Sequence, residues 1–365
     1  MRPKNQRYAE TRKGRGAPTN AAPQRFNLHD REIDGDWLDE RDVIGDGASK
    51  LRTTVTTEFP KSIINYNVSP DLPFDRSINA YRGCEHGCIY CYARPTHAYH
   101  DLSPGLDFES KLFAKPNAAD LLRQTFAKPK YHPASIAIGT NTDPYQPIEK
   151  RYRITRQILE VMLETLHPVA ITTKSNRVVD DIDLLERLAA RQLTAVAISI
   201  TTLDRETARL LEPRAPAPAR RLEAVMKLSK AGIYVHVNIA PVVPGITDHE
   251  IEAIVAAASD HGASSVSFIP MRLPHEVAPL FEQWLETYYP ERRSKVMSII
   301  RQMRGGKRND PAFHSRMRGQ GPWADLIRTR LLIAARKTGL AKGKISLRTD
   351  LFRRPVIKGS QLELF

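Results

Sequence analysis

The chain has 365 residues, enough for one large domain or two ordinary ones with ample core. It has no run of about twenty apolar residues to cross a bilayer, and its basic start lacks the apolar segment of a secretory signal, so a cytoplasmic setting is expected. The formal net charge is +14, and the segment from Glu291 to Phe365 alone, with 19 Lys and Arg against 5 Asp and Glu, accounts for all of it. A basic extension on a balanced body suits a polyanion, nucleic acid first; the alternative is a set of solvated basic helices with no partner.

Along the chain, residues 1–55 are rich in Arg, Lys, Asn, Pro and Gly, with almost no apolar periodicity. They read as a largely disordered tail in which Arg2, Lys4, Arg7, Arg12, Lys13, Arg15 and Arg25 are free to touch phosphates. Short β-branched runs then recur: SINAYRG from Ser77, SIAIGTN at 135–141, VAITTKS at 169–175, AVAISIT at 195–201, IYVHVNIA at 233–240 and SVSFIP at 265–270. Helix-like stretches lie between them at about 153–166, 180–191, 216–231 and 248–260. This alternation predicts parallel βα units closing into a partial (β/α)6 TIM-like barrel over residues 56–275. Residues 276–365 are expected to form a basic helical extension. In it WLETYYPERRSKVMSIIRQMRGGKR reads as one amphipathic helix ending at Gly305, and a second helix runs from about Pro322 to a stop at Gly339. Arg328, Arg330, Arg336 and Lys337 would share a charged side of that second helix.

The only cysteines are Cys84, Cys88 and Cys91, within YRGCEHGCIYCYAR. Three thiols in eight residues cannot all form disulfides, and a lone nucleophile needs no companions, so a metal or cluster site is the economical reading. A [4Fe–4S] cube takes one thiolate per iron, which would leave one iron open here. Zinc held by the three thiols and His86, His97 or His100 is the alternative.

The C-x3-C-x2-C spacing, with Tyr90 before the last cysteine, resembles the cluster loop of radical S-adenosylmethionine (SAM) enzymes. The longer run from RGCEHGCIYCYARPTHAY through LSPGLDF to TNTDPYQPIE is similar to the branch containing spore photoproduct lyase. The resemblance implies a [4Fe–4S] cluster, SAM chelated at the open iron, a reductant such as flavodoxin or ferredoxin, and a 5′-deoxyadenosyl radical. It also implies a partial barrel, whose chemistry sits at the C-terminal ends of the strands.

Polar residues cluster at those ends. Tyr90 matches the aromatic that packs near adenine. Asn141 to Asp143 stand where many relatives carry a Gly-Gly-Glu motif for the methionine ammonium, a motif absent here, so Asp143 or the Thr140 and Thr142 hydroxyls would have to replace it. Lys174 is expected to meet the methionine carboxylate, Ser199 the ribose, and Arg214 an anion. Two prolines flank Tyr145 and Gln146 in TDPYQPIE, which makes Tyr145 a candidate for base stacking or hydrogen-atom relay. Spore photoproduct lyase uses a further cysteine as hydrogen donor; this chain has no fourth, so Tyr145 or Tyr234 would take that role or the reaction differs. The expected function is radical SAM chemistry on nucleic acid, in lesion repair or base modification. The alternatives are a protein or small-molecule substrate, or a zinc-stabilised nucleic-acid-binding protein. Finally, Gln361 to Phe365, QLELF, resembles the peptide that bacterial polymerases and repair proteins insert into the β sliding clamp.

Overall fold

The computed structural model describes residues 14–21, 51–340 and 345–356. The QLELF peptide and most of the N-terminal cations lie outside the described residues. In chain order the strands are β1 (Thr54–Thr57), β2 (Ile64–Tyr66), β3 (Arg76–Ile78), β4 (Tyr81–Arg82) and β5 (Lys111–Ala114), then β6 (Ile136–Ile138), β7 (Val169–Thr173), β8 (Thr194–Ser199), β9 (Tyr234–Val242) and β10 (Ser265–Pro270). Seven of them form the main sheet, in the order β10-β9-β8-β7-β6-β3-β2. From β3 to β10 every pairing is parallel, and β2 adds an antiparallel edge. All six expected strands are present, joined by helices that include Ile154–Glu164, Ile182–Ala189, Pro218–Lys230 and Ile251–Asp260. The fold is a partial (β/α)6 barrel.

The register explains why one face is apolar and the other is not. Ile138, Ile171, Ile198, Val235, Val237 and Ile239 have essentially no exposure and pack under the helices. Removing such side chains from water contributes about 1.5–3 kcal/mol each. The opposite face carries small or polar residues: Ala170 and Thr172 on β7, Ala197 and Ser199 on β8, His236 and Asn238 on β9. Small side chains on the concave face leave it open, so ligand space comes directly from strand alternation.

Three expectations are corrected. The SINAYRG run is two strands, because after Ile78 the chain turns and β4 joins a separate sheet with β1 and β5, in the order β1-β5-β4. The basic stretch before Gly305 is also two helices, Val277–Tyr288 and Arg293–Met303. Pro290 falls between them, and a proline cannot donate the helical hydrogen bond while its ring clashes with the preceding turn. Lastly, residues 14–21 belong to the folded body: Arg15 and Ala17 are buried against the cysteine loop.

The C-terminal helix Gly321–Lys337 lays Ala324, Ile327, Leu331, Ala334 and Ala335 into the core beside helix Ile251–Asp260. Arg330 binds Glu252 of that helix bidentately, at 2.5 and 2.7 Å, and Arg328 binds Asp325. The expected charged side is therefore partly consumed in holding the helix over β10. Gly339, at φ +73°, ends it: its N–H donates to the Arg336 carbonyl, and that of Leu340 to the Ala335 carbonyl. At the other rim, Arg316 grips Asp71 with two bonds of 2.6 Å, joining the loop after β2 to the 304–320 segment. The two edges of the open barrel are thereby tied together.

Candidate cluster site at the barrel mouth

The cysteine loop leaves β4 through Gly83, at φ +71°. A Cβ there would stand 2.6 Å from Leu112, 2.8 Å from the Phe108 carbonyl and 2.9 Å from His97, so only glycine lets the loop start here. Cys84 N–H then donates to the Phe108 carbonyl at 2.9 Å, and Cys91 N–H to the Cys88 carbonyl at 3.2 Å. Arg94, fully buried, holds the backbone around Cys88: its Nε donates to the Cys88 carbonyl at 2.9 Å and its Nη2 to the Gly87 carbonyl at 3.1 Å. Glu109, also fully buried, accepts from Arg94 at 2.5 Å.

All three cysteines are free, with Cys84 and Cys88 buried. Burial pushes the Cys88 thiol up to about 12, against the pull of Lys174. Burial and the nearby Asp143 carboxylate also push the Cys84 thiol well above its ordinary value. Thiols that burial holds protonated become anionic ligands only when a cation meets them, which suits a resident metal centre. His86 Nδ1 lies 3.3 Å from the Asp143 carboxylate, and His97 Nε2 is 2.8 Å from the Lys111 carbonyl, so one nitrogen of each ring is engaged by a protein oxygen. Among the described residues no three His, Cys, Asp or Glu side chains converge as one ion would require. A cube, each of whose irons takes its own thiolate, does not need that convergence.

Around the loop the expected residues divide into two groups. Lys174, Ser199, Thr140 and Asn141 lie at the C-terminal ends of β7, β8 and β6, at the mouth. The Lys174 ammonium lies 5.7 Å from the Tyr90 ring centroid. Burial works to lower it, but its interactions with Cys88 and Glu212 outweigh that and hold it above its ordinary value. Asn141 is braced by its N–H to Asn79 (2.9 Å), which also faces the Thr140 hydroxyl.

The second group is committed to protein partners. Thr142 donates to the Gly83 carbonyl at 2.6 Å and accepts from Gln146. The Asp143 carboxylate takes N–H or O–H donors from Tyr145, Thr173 and Lys174 and stands beside His86. Burial alone would raise its pKa, but the His86 charge and these bonds hold it down at about 2. Asp143 thus clasps β7 to the cysteine loop. Arg214 binds Glu85 inside the loop at 3.0 Å. Tyr90 is buried, its hydroxyl donating to Glu212, whose other oxygen accepts from Arg221. Tyr145 is only 2 % exposed and donates to Asp181 at 3.0 Å, so it packs in the core and is not presented to a substrate. Tyr234 starts β9 and donates to Ser265 at the start of β10, the end of the sheet away from the thiols.

Sequence reasoning passed over Glu212, Arg221, Arg94, Glu109 and Tyr92. The signal for Tyr92 was present in the doubled aromatic of IYCY. It is 52 % exposed immediately after Cys91, and the Arg272 guanidinium lies 5.9 Å from its ring centroid.

A parallel partial barrel whose first strand leads to a three-thiol loop at the mouth defines the radical SAM class. The profile described as "Radical SAM superfamily" matches residues 78–258, and the chain belongs to that superfamily. Among its relatives, an uncharacterized protein of Mycobacterium tuberculosis is 35% identical over 232 residues, covering 63% of this chain and 68% of that protein. The Radical SAM Nalpha-GlyT isomerase of Pseudomonas phage M6 is 24% identical over 229 residues, 61% of this chain and 45% of the phage protein. In fold the chain is like spore photoproduct lyase: a point mutant superposes with TM-score 0.56 at 16% identity, over 78% of this chain and 79% of that one. The lyase complexed with dinucleoside spore photoproduct gives TM-score 0.50, also at 16% identity, over 70% and 78%.

Proposed function

We propose that this protein is a radical SAM enzyme acting on nucleic acid, reversing a lesion or modifying a base. Cys84, Cys88 and Cys91 would hold a [4Fe–4S] cluster, which supplies the electron that cleaves SAM to a 5′-deoxyadenosyl radical. Lys174 would pair with the methionine carboxylate and Ser199 would meet the ribose, while Thr140 and Asn141 would offer polar groups at the same rim. Tyr90, Glu212 and Arg221 hold the loop, and Asp143, in the segment after β6, ties it to the end of β7.

The observation that carries the substrate class is the mouth itself. An exposed Tyr92 ring beside Cys91, with Arg272 next to it, is a platform on which an unstacked base can lie. Exposed Lys307 and Arg318, which make no ion pair among the described residues, stand on the 304–320 segment that reaches Arg272 through Met317. Such cations neutralise phosphates. That a solved structure of like fold carries a dinucleoside photoproduct supports the same class.

The test is anaerobic reconstitution, then SAM and dithionite with single-stranded or duplex oligonucleotides, reading 5′-deoxyadenosine and the mass of the nucleic acid. Binding should fall with salt, and Lys307→Glu with Arg318→Glu should reduce the log–log slope by about 2. Binding that ignores both salt and charge reversal would move the assignment to a small-molecule or protein substrate.

A further inference from the structure

The segment Gly14–Ala21, which composition marks as tail, runs against the cysteine loop. The N–H groups of Gly16 and Ala17 donate to the two oxygens of Glu109 at 3.0 and 2.8 Å. Arg15 donates from Nη1 to the Glu109 carbonyl at 2.6 Å, and from Nη2 to the Leu51 carbonyl at 2.6 Å and the Thr53 hydroxyl at 3.2 Å. Thr53 in turn donates to Glu85, between the first two cysteines, at 2.5 Å. Further along, Asn20 donates to Asp107 at 3.0 Å, and the Ser103 hydroxyl to the Ala21 carbonyl at 2.6 Å.

The approach is too close for a side chain. A Cβ on Gly16 would lie 1.8 Å from the carbonyl oxygen of Gly87, the residue before Cys88. That same carbonyl accepts from Arg94, which Glu109 holds. The arm therefore contacts the loop twice: directly at Gly87, and through Glu109 and Arg94 at the Gly87 and Cys88 carbonyls. Glu109 is fully buried, so without the two arm N–H groups its carboxylate would lose much of its hydrogen bonding where water does not replace it.

We propose that the Gly14–Ala21 arm is a working part of the cluster cradle, with Arg15 and Gly16 as positioning residues that set where the thiol of Cys88 stands. The inference rests on the cluster reading above. Backbone and side-chain groups behind metal ligands fix ligand orientation, and their loss typically weakens metal retention about ten- to a hundredfold.

The test uses the full chain with Gly16→Val and Arg15→Ala, beside wild type. Each is reconstituted anaerobically and read by iron and sulfide per chain, by the electron paramagnetic resonance (EPR) spectrum of the reduced protein with and without SAM, and by the rate of bleaching in air. Wild type should take up about four irons. Gly16→Val should bleach at least about tenfold faster and give an altered spectrum. Arg15→Ala, which adds no bulk, should shift the same two readouts less, with its melting temperature close to wild type. Should Gly16→Val fail to fold, Arg15→Ala decides alone. Unchanged spectra and bleaching rates in that folded variant would overturn the role of the arm, whereas a wild type that binds no iron would overturn the cluster reading instead.

Discussion

Replacing Glu212 by glutamine removes one charge from a pair with almost no exposure: Glu212 and Arg221 are each about 1 % exposed at the side chain. Oε1 of Glu212 accepts from Tyr90 and from Thr201 (2.8 Å), and Oε2 from Arg221. Burial by itself would raise this carboxyl, but the Arg221 and Lys174 charges hold it at about 2 against an ordinary 4.5. The difference is worth on the order of 3 kcal/mol at neutral pH. Because the folded value is the lower one, that stability is present above pH 4.5 and drains away as pH falls towards 2. Glu212→Gln also leaves the Arg221 guanidinium buried and unmatched, a loss usually of about 3–5 kcal/mol that overlaps the first figure. We therefore expect Glu212→Gln to cost about 3–5 kcal/mol in urea unfolding at neutral pH, followed by circular dichroism. Iron uptake should fall with it, since Tyr90 adjoins Cys91. Arg221→Met in the same chain should restore more than half of the lost stability, because no charge is then stranded. A Glu212→Gln protein within about 0.5 kcal/mol of wild type, or a double variant no better than the sum of the singles, would refute the reasoning.

The same geometry sets other outcomes. Burial raises the Glu149 carboxyl from 4.5 to about 7, so its contribution is complete below the lower value and is lost as pH rises through the higher one; Glu149→Gln should flatten the melting temperature over that interval. Cys88→Ala should abolish both iron uptake and SAM cleavage, since a lost thiolate exposes a second iron; a variant that reconstitutes normally and still makes 5′-deoxyadenosine would sink the site. Asp71→Asn should cost about 1–2 kcal/mol, the bidentate contact being partly buried, and hydrogen exchange should quicken in 304–320 while the cysteine loop stays protected. Exchange that quickens equally in both would mean the latch is not local.

The barrel strands and the cysteine loop were legible in the chain because both are local signals. Runs such as AVAISIT and IYVHVNIA state their own period, and three cysteines within eight residues state their own chemistry. The sequence could likewise mark the mouth, since polar residues follow each apolar run. What only the tertiary structure decided was the commitment of each polar group. Asp143 and Tyr145 stand in one prolyl loop with nothing local to say that the first would be enclosed by β7 and His86, or that the second would turn into the core towards Asp181. Tyr234 belonged to the right strand at the wrong end, a distinction that needs strand direction relative to the thiols. The arm is the clearest case. A Gly- and Arg-rich stretch carries little apolar surface and so reads as unstructured, yet its N–H groups found a buried carboxylate some 92 residues away. Composition reports what a segment can bury by itself; hydrogen bonds across such separations are created by the fold, and no local period announces them.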